Sequence, residues 1–405
     1  MPGLPQRNMT LYAELMKATR KAYTIENCHW GHCSAGDDSS CPTADWCPFN
    51  WFRTSGDINS SPMSWLSNLQ TTIPFQDRKA PLSQPGCWAY PDMLEVGRIH
   101  IDGQVHVPWN RAHFGAWCVV SAPLILGLDV TKPAVLAPVL DILTNAEAIA
   151  INQAWAGHPG GLVWSALGGA TGFPTARQCD PTDASLKQTG WGFVRQAGGT
   201  TMLIAPPVPN QPESCLEARG GGARGGAGYL LFVPCNYTLA GQNFDYNVTS
   251  GEMRFGGHCV DVHGGGPLVW MYACSETSPH DILLTNHTDG TLRFGTGELC
   301  LGDEERDPAG EASAVTLQAW SKPLPAEEGL ALLLINPDSK PHAFDVPLAA
   351  LPLTGSGINI TTVPFSTRDI WNQKDVETPL HVGAQASLHV TVRGLDSAFL
   401  RLAPE

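Results

Sequence analysis

Two kinds of periodicity divide this chain. Up to about residue 155, short strand-like runs alternate with helical stretches such as LYAELMKATRKA and RAHFGAWCVVSA. From about residue 314, short apolar runs such as GLALLLIN and ASLHVTV are separated by turns. Strands spaced by helices favour a parallel sheet or barrel of βα units, whereas short strands joined by turns favour an antiparallel β domain. The sequence therefore predicts an α/β segment followed by an all-β segment.

The region between these segments is rich in glycine and contains a repeat. Cys215, Cys259 and Cys300 begin three related units at spacings of 44 and 41 residues. Repeats of about 40 residues with short strands are typical of a trefoil or another all-β array. The low-complexity stretch ARGGGARGGAG (218–228) predicts a flexible loop rather than a phosphate-binding loop.

A chain of 405 residues is long enough for two or three domains. We predict an α/β domain over 1–160, an insertion over 161–313 with the repeats at about 212–302, and an antiparallel β domain over 314–405. The formal net charge is −14 and the basic residues form no stripe, so nucleic acid and anionic membrane surfaces are poor partners. No stretch approaches 18 uninterrupted apolar residues, so no segment is predicted to span a bilayer.

Cysteines and glycosylation sequons both indicate the secretory pathway. The chain has twelve cysteines and six N-x-[ST] sequons, the latter at Asn8, Asn59, Asn236, Asn247, Asn286 and Asn359. The first residues, MPGLPQRNMTLYAELMKATRK, contain no apolar run typical of a signal peptide. We therefore expect the chain to lack the true N-terminus of the protein.

The run FRTSGDI (52–58) alternates in polarity, which predicts a strand with Arg53, Ser55 and Asp57 on one face. On a straight strand Arg53 and Asp57 would be about 13 Å apart. For both to contact one small ligand, the chain must bend at Gly56 or leave the strand after Ser55. The alternative is an ion pair at the protein surface.

Carboxylates, a guanidinium and aromatic side chains collect where the predicted strands end. In a βα barrel these positions line one mouth, where chemistry takes place. Indole rings beside carboxylates suit a sugar, because the apolar face of a pyranose stacks on an aromatic ring. Hydrolysis of a glycoside with retention of configuration needs two carboxyl groups about 5–5.5 Å apart. The candidates are Glu26, His29, Trp30, Arg53, Asp57, Trp88 and Asp92.

Five segments of the α/β region carry a family resemblance: NCHWG, WFRTSGDI, GCWAYPDMLEVG, RAHFGAWCVVSAPLILGLDV and NAEAIAINQA. In order and spacing they resemble the second half of the catalytic barrel of glycoside hydrolase family 27, the α-galactosidases and α-N-acetylgalactosaminidases. LQAWSKPLP and TRDIWNQKDV resemble the family's β-sandwich, and HCVDVHGGGPLVWMYAC is similar to a ricin-type lectin unit. The resemblance implies half of a (β/α)8 TIM barrel, a β-trefoil-like insertion and a C-terminal antiparallel β-sandwich.

The resemblance also assigns roles. Asp57 lies where the family has its general acid/base, and Arg53 lies where an arginine binds substrate hydroxyls. A nearby arginine favours the charged form of this carboxylate, whereas acid catalysis needs its protonated form. We therefore expect the second catalytic carboxylate of a complete enzyme, the nucleophile, to raise the pKa of Asp57. The other positions implied to contact substrate are Cys28, His29, Trp30, Trp88 and Asp92.

Two positions depart from the family pattern. His29 stands where the family has a glutamate near the second carbon of the sugar, so the choice between galactose and N-acetylgalactosamine stays open. Tyr90 replaces an aspartate common in the family. Asp92 could instead cap a following helix, and Trp30 could be a core tryptophan.

The nucleophile that the family requires has no counterpart in the sequence. In the family it is an aspartate in a Lys-Tyr-Asp-like motif, and no such motif precedes Met9. Glu26 and Asp37 lie in no motif that supports this role. A full barrel takes about 250 residues, and only about 155 are available, so we expect an N-terminally truncated chain.

Cys28, Cys33, Cys41 and Cys47 have two interpretations. With the histidines of CHWGHC they could form a structural zinc site. In a secreted protein disulfides are simpler, and the resemblance implies a disulfide that begins at Cys28. We expect Cys28–Cys47 with Cys33–Cys41 inside it, and we predict no metal and no cofactor.

In the lectin-like repeat, Asp261 and Tyr272 occupy the positions of a galactose-binding aspartate and its stacking aromatic residue. The neighbouring unit has Glu217 and Val233 at these positions. The sequence leaves open whether the insertion binds sugar or is only a packing module.

These observations predict an α-galactosidase that hydrolyses terminal α-D-galactose with retention of configuration and has α-galactosides as its partners. The alternatives are an α-N-acetylgalactosaminidase on the same scaffold and a non-catalytic galactose-binding protein. The complete protein is expected to be secreted, vacuolar or lysosomal. The sequence does not specify the oligomeric state.

Overall fold

A computed structural model describes most of the chain. The described residues are 4–28, 41–101, 103–166, 174–179, 191–205, 213–219, 229–262, 269–274, 285–286, 291–294, 299–303, 317–325, 328–338, 340–351, 365–376, 381–382 and 387–404. Among them no single helix is long and apolar enough to cross a membrane. The helical stretches 133–143 and 146–153 are long and apolar enough only when taken together, and they are bent by 63° relative to each other.

The α/β segment contains both helices and short strands in its described residues. Its α-helices are α1 (Leu4–Ala18), α2 (Ser64–Gln70), α3 (Val107–Val119), α4 (Pro133–Leu136), α5 (Leu140–Leu143) and α6 (Ala146–Gln153). Its strands are β1 (Glu26–Asn27), β2 (Trp51–Arg53), β3 (Trp88–Tyr90), β4 (His100–Ile101) and β5 (Gln104–Val105).

A parallel sheet forms the centre of this segment. β1, β2 and β3 pair in chain order, and both pairings are parallel. The sheet pattern continues at a parallel bridge between Leu94 and Leu126. There the amide of Leu94 donates to the carbonyl of Ile125 at 2.7 Å, and the amide of Gly127 donates to the carbonyl of Leu94 at 2.8 Å. Helix α2 lies between β2 and β3, and α3 lies between β3 and Leu126, so these parallel strands and their connecting helices confirm the predicted βα arrangement.

Two predictions within this segment are wrong in detail. The strand expected over 52–58 ends at Arg53, and the chain then bends. The single helix expected from about Ala134 to Ala150 is three short helices. Pro138 cannot donate a backbone hydrogen bond, and the Asn145 side chain accepts from the amide of Ala148 at 3.0 Å and so starts α6 as a new helix.

Strands make up the rest of the described fold, apart from short 3₁₀ turns. In chain order they are β6 (Gly161–Ala166), β7 (Pro174–Gln178), β8 (Gly192–Arg195), β9 (Thr201–Ile204), β10 (Ser214–Arg219), β11 (Tyr229–Pro234), β12 (Asp245–Tyr246), β13 (Met253–Phe255), β14 (His258–Asp261), β15 (Trp270–Ala273), β16 (Thr285–Asn286), β17 (Leu292–Phe294), β18 (Leu299–Asp303), β19 (Leu317–Pro323), β20 (Leu330–Asn336), β21 (His342–Pro347), β22 (Phe365–Asp369), β23 (Lys374–Asp375), β24 (His381–Val382), β25 (Ser387–Val392) and β26 (Asp396–Pro404).

The C-terminal domain consists of a six-stranded sheet, in the order β23-β22-β26-β20-β19-β6, and a three-stranded sheet, β21-β25-β24. β6 therefore belongs to this domain, although the sequence assigned it to the insertion. Ala166, at the end of β6, pairs with Leu317, at the start of β19. The predicted boundary at residue 161 is thus wrong, because the insertion emerges between two neighbouring antiparallel strands.

The insertion contains two antiparallel sheets in its described residues. One has the order β12-β13-β14-β15-β11-β10-β9-β8, and the other has the order β16-β17-β18-β7. β7 pairs with β18, and the Cys179–Cys300 disulfide links the same two segments, so the beginning and the end of the insertion are joined. These strand orders show no threefold repetition, and the trefoil stays a prediction.

The disulfide expected between Cys28 and Cys47 is wrong. Cys47 is bonded to Cys87, and Cys28 is an exposed free thiol. Cys47 precedes β2 and Cys87 precedes β3, so both lie at the amino end of the parallel sheet, whereas Cys28 follows β1 at the carboxyl end. Because Cys41 is also disulfide-bonded, two of the four thiols of the alternative zinc site are not available as ligands.

Helix α3 joins the α/β segment to the C-terminal domain. A Cβ atom at Gly115 would lie 2.8 Å from the ring of Trp371, so only glycine allows this close packing. Arg111 on the same helix forms a bidentate ion pair with Asp396 of β26, in which Nε donates to Oδ1 at 2.8 Å and Nη2 donates to Oδ2 at 2.6 Å. The two domains therefore share one core, which combines buried side chains of α3 with those of β19, β20 and β26.

A buried lysine of β19 strengthens this junction. Lys322 is 0% exposed, and its Nζ donates to Ser121 Oγ at 2.7 Å, the Ile151 carbonyl at 2.5 Å and the Asn152 carbonyl at 2.8 Å. Both carbonyls lie near the C-terminal end of α6, where a helix attracts cations. Burial nevertheless lowers the pKa of Lys322 to about 7.

This pKa predicts a pH-dependent contribution to stability. Between pH 7 and about pH 10 the unfolded chain binds the lysine proton and the folded protein does not, so the free energy of unfolding rises with pH in this window. Lys322→Met should abolish that rise and lower stability by about 1–3 kcal/mol for each carbonyl left without a donor. Urea unfolding of both proteins at pH 7 and pH 9.5 measures the difference, and equal slopes against pH would contradict the prediction.

Candidate active site

The side chains of the parallel sheet point to two opposite faces. Because side chains alternate along each strand and the strands are in register, Asn27, Phe52 and Ala89 share one face. All three are buried. The opposite face carries Glu26, Trp51, Arg53, Trp88 and Tyr90.

Asp57 reaches Arg53 because the chain turns immediately after β2. Asn68 of α2 holds this turn, since its side-chain amide donates to Ser55 Oγ at 2.9 Å and to the Gly56 carbonyl at 3.3 Å. Arg53 Nη2 and Asp57 Oδ1 are consequently 2.7 Å apart. The bend that the sequence required is present, but it begins directly after Arg53 rather than after Ser55.

The guanidinium of Arg53 lies between two carboxylates. Its Nη2 is 2.7 Å from Asp57 Oδ1 and 2.6 Å from Asp92 Oδ2. The side chains of Arg53 and Asp92 are 7% and 8% exposed, whereas that of Asp57 is 61% exposed. Burial lowers the pKa of Arg53, but the hydrogen bond to Asp57 and the charge of Asp92 outweigh it and raise the pKa above its ordinary value. The three side chains converge as the resemblance implies, and their roles stay predictions.

Asp92 has an unusual backbone conformation. Its φ is +77°, in a region that side chains other than glycine rarely adopt. Oδ2 accepts from the amide of Ile58 at 2.8 Å, Oδ1 accepts from the amide of Met93 at 2.8 Å, and the Asp92 carbonyl accepts from Trp117 Nε1 at 2.7 Å. The residues that follow form turns rather than a helix, so Asp92 is not a helix cap. Strain held by several hydrogen bonds is typical of functional sites.

Buried polar residues of α3 support the loop that follows Asp92. His113 Nε2 accepts from the amide of Glu95 at 2.9 Å, and Asn110 Oδ1 accepts from the amide of Gly97 at 2.6 Å. Burial lowers the pKa of His113 to about 3, so the ring is neutral and able to accept. Sequence reasoning missed both residues, although two polar residues three positions apart in an apolar helix were a usable signal.

Two further titratable groups lie next to Asp92. Burial raises the pKa of Glu95 to about 7. The charge of Arg98, whose Nη1 lies 2.7 Å from Glu95 Oε1, acts in the opposite direction, and the charge of Asp92 raises the pKa by a smaller amount. Burial, followed by the charges of Asp92 and Glu26, raises the pKa of the Tyr90 phenol well above its ordinary value, so this hydroxyl stays protonated. Glu95 was not among the predicted site residues.

The remaining candidates are less closely connected to Arg53. Trp88 is half-buried and packs edge-on against Trp155, with ring centroids 5.6 Å apart. The exposed thiol of Cys28 lies 3.6 Å from Arg53 Nη1, at the same mouth. His29, Trp30 and Asp37 lie outside the described residues.

The lectin-like candidates are placed differently. Asp261 lies on β14 and is 1% exposed, and the side chain of Tyr272 lies outside the described part of the structure. Within the described ranges, Glu252, Cys259 and Cys274 are spaced for a metal ion. The two cysteines form a disulfide, so this group cannot supply thiolate ligands.

Comparisons with known proteins identify the family to which two regions of the chain are similar. Residues 6–154 match the family model described as Alpha galactosidase A, and residues 315–402 match the model described as Alpha galactosidase C-terminal beta sandwich domain. Together the two regions make up more than half of the chain and identify it as a member of a glycoside hydrolase family. The chain belongs to glycoside hydrolase family 27, the α-galactosidase family.

Individual relatives match only in part. Alpha-galactosidase 3 of Arabidopsis thaliana is 34% identical over 140 residues, which cover 35% of this chain and 28% of the relative. The human alpha-N-acetylgalactosaminidase is 36% identical over 110 residues, covering 27% of this chain and 25% of the relative. The chain therefore matches about a quarter of the length of either relative. An α-galactosidase structure from Saccharomyces cerevisiae with raffinose aligns with 100% of this chain and 69% of that chain, at 16% identity and a TM-score of 0.49.

The hydrogen bond from Trp117 to Asp92 can be tested against a matched tryptophan. Trp117 and Trp65 are both 0% exposed, but Trp65 Nε1 has no hydrogen-bond partner among the described residues. Trp117→Phe leaves the Asp92 carbonyl without its donor, so it should cost about 1–3 kcal/mol more than Trp65→Phe. Chemical denaturation of both variants measures this difference, and equal losses would contradict the assignment.

The corrected disulfide pattern predicts thiol reactivity. Iodoacetamide should modify Cys28 in the folded protein, because its thiol is exposed, and should modify the buried Cys118 only after denaturation. Peptide mapping by mass spectrometry measures both sites, with Cys28→Ser as the control. Recovery of Cys28 in a disulfide with Cys47 would restore the pairing expected from the sequence.

Proposed function

We propose that this chain is part of an α-galactosidase that removes terminal, non-reducing α-D-galactose with retention of configuration. The observation that carries the proposal is the contact of one Arg53 nitrogen with both Asp57 and Asp92 at the carboxyl ends of β2 and β3. Sites at this end of parallel strands are where βα proteins carry out chemistry. Family membership supports glycoside hydrolysis as the class of reaction.

In the proposed mechanism Asp57 is the general acid/base. Its exposed carboxyl donates a proton to the glycosidic oxygen as that bond breaks, and later accepts a proton from the attacking water. Arg53 and Asp92 bind sugar hydroxyls, and the buried ion pair keeps both side chains in place. The retaining mechanism also requires a nucleophilic carboxylate, and the resemblance assigns that role to no residue of this chain. The proposal therefore applies to the enzyme that contains the nucleophile.

A second candidate is α-N-acetylgalactosaminidase activity. The similarity to the human alpha-N-acetylgalactosaminidase supports it. His29, in place of the family glutamate, leaves the choice between the two sugars open. The acetamido group of that substrate would approach the mouth near Cys28 and His29, which the resemblance places beside the second carbon of the sugar. The third alternative, a galactose-binding protein without catalysis, would rely on the insertion.

We further propose that the complete protein functions in an oxidising compartment, as a secreted, vacuolar or lysosomal glycoprotein. Four disulfides among the described residues support this, since disulfides persist in oxidising environments. The sequons support glycosylation, and Asn247 lies in an exposed turn.

The role of Asp57 predicts a large loss of activity on substitution. In an enzyme that contains the nucleophile, Asp57→Asn should reduce kcat on raffinose by about 10²–10⁴-fold, because the amide cannot transfer a proton. Asp45→Asn alters an exposed aspartate of the preceding loop and should leave the rate unchanged. An undiminished rate in Asp57→Asn would remove this residue from the mechanism.

Two chromogenic substrates separate the alternatives. Hydrolysis of p-nitrophenyl α-galactoside with little activity on its N-acetylamino counterpart supports the first candidate, and the reverse preference supports the second. No turnover of either by the nucleophile-containing enzyme, together with retention on immobilised galactose, would favour the non-catalytic alternative.

A further inference from the structure

The three-stranded sheet of the C-terminal domain, β21-β25-β24, has one face in the core and one face in solvent. Phe344, Val346 and Leu388 lie in the apolar core between this sheet and the six-stranded sheet. Side chains alternate along a strand, so the residues next to these point to the opposite face. Asp345 of β21 and His389 of β25 are accordingly 64% and 41% exposed. The outer face therefore carries polar groups that the core does not use.

Asp345 and His389 belong to a row of residues that crosses the whole sheet. The central strand is β25, between β21 and β24. Asp345 stands directly opposite His389 in one pairing, and His381 of β24 stands directly opposite His389 in the other. Opposite residues of antiparallel strands have Cβ atoms about 4.5–5.5 Å apart, within reach of a shared ligand. The register thus brings one aspartate and two histidines together from three strands.

The contact between His389 and Asp345 is longer than an ordinary hydrogen bond. His389 Nδ1 and Asp345 Oδ1 are 3.5 Å apart, and neither side chain has a hydrogen bond or another ion pair within the described residues. His342 and Asp338, at the start of the same strand, show the ordinary distance, with Nε2 and Oδ2 2.8 Å apart. Hydrogen bonds from N–H to oxygen are about 2.7–3.2 Å long in proteins. His389 and Asp345 are therefore close together but not at hydrogen-bonding distance.

The separation of 3.5 Å fits two ligands of one metal ion. A tetrahedral Zn²⁺ holds histidine nitrogen and carboxylate oxygen at about 2.0–2.2 Å, so two such ligand atoms are about 3.3–3.5 Å apart. Imidazole together with carboxylate suits Zn²⁺ and related transition metals, whereas Mg²⁺ and Ca²⁺ prefer oxygen ligands alone. The formal net charge of −14 also favours a cation at this surface.

We propose that Asp345, His389 and His381 bind a Zn²⁺ ion on the outer face of this sheet, with water as the fourth ligand. The ion links β21, β25 and β24, so its role is to stabilise the small sheet. None of these three residues is among the contacts of Arg53 described above, so the site is independent of the proposed hydrolysis. The ligands come from three separate strands and form no short metal-binding motif, and for this reason the sequence predicted no metal.

The test uses the whole chain without an affinity tag, made in the bacterial periplasm so that its disulfides form. Calorimetric titration with ZnCl₂ should show a bound ion that MgCl₂ does not displace. Asp345→Asn, His389→Gln and His381→Gln should each weaken Zn²⁺ binding at least about tenfold, since even groups that only orient a metal ligand contribute about 10–100-fold.

A stability measurement separates loss of the site from loss of the fold. Zn²⁺ should raise the melting temperature of the unsubstituted protein, because the ion binds the folded sheet and the unfolded chain has no preformed site. His389→Gln should remove that rise. It should leave the melting temperature in EDTA unchanged, because the side chain of His389 is exposed and contributes nothing to the core.

Two control substitutions make the result specific to this site. His100→Gln alters an exposed histidine of β4 that has no carboxylate partner among the described residues, and Cys28→Ser removes the exposed thiol beside Arg53. Neither should change the affinity for Zn²⁺. The proposal is overturned if no Zn²⁺ binds, if any of the three ligand substitutions leaves the affinity unchanged, or if Cys28→Ser abolishes binding.

Discussion

A single buried guanidinium sets the geometry of the candidate active site. Arg53 is almost completely removed from water, and a buried cation is tolerated only when anions and hydrogen-bond acceptors surround it. Asp57 and Asp92 meet this need from the segments that follow β2 and β3, at 2.7 and 2.6 Å. The turn after β2, held by Asn68, and the left-handed conformation of Asp92 together bring these carboxylates to one nitrogen.

Helix α3 connects this site to the C-terminal domain. Its buried polar residues, Asn110 and His113, accept backbone hydrogen bonds from the loop after Asp92, and Trp117 donates to Asp92 itself. The same helix packs against the β-sandwich at Gly115 and pairs with it through Arg111. The β-sandwich thus contributes no side chain to the contacts of Arg53 described above, yet it holds the helix that supports them. The core shared by the two domains therefore keeps α3 in the position from which it supports the site.

Sequence reasoning recovered the parts that depend on local pattern. Parallel βα units followed from periodicity, and the convergence of Arg53 with Asp57 followed from the family resemblance. It missed Glu95, because only the tertiary structure buries this loop residue beside Asp92. It also missed Asn110 and His113, whose spacing in an apolar helix was a usable signal but did not show which amides they would bond. It also paired Cys28 with Cys47, since spacing along the chain does not show that these residues lie at opposite ends of the sheet, where Cys87 is the available partner of Cys47. The insertion boundary was wrong because β6 pairs with a strand about 150 residues later in the chain.

The sequence by itself determined which chemical groups this protein has, the order of its α/β and all-β regions and its place in an α-galactosidase family. Residue type and local periodicity are sufficient for these, because they depend on side-chain chemistry and on the repeat of a helix or strand. Only the tertiary structure decided which carboxylates share Arg53, which cysteines bond and which strands bring His389 beside Asp345. These depend on distances between residues far apart in the chain, which are set when strands come into register and the core excludes water.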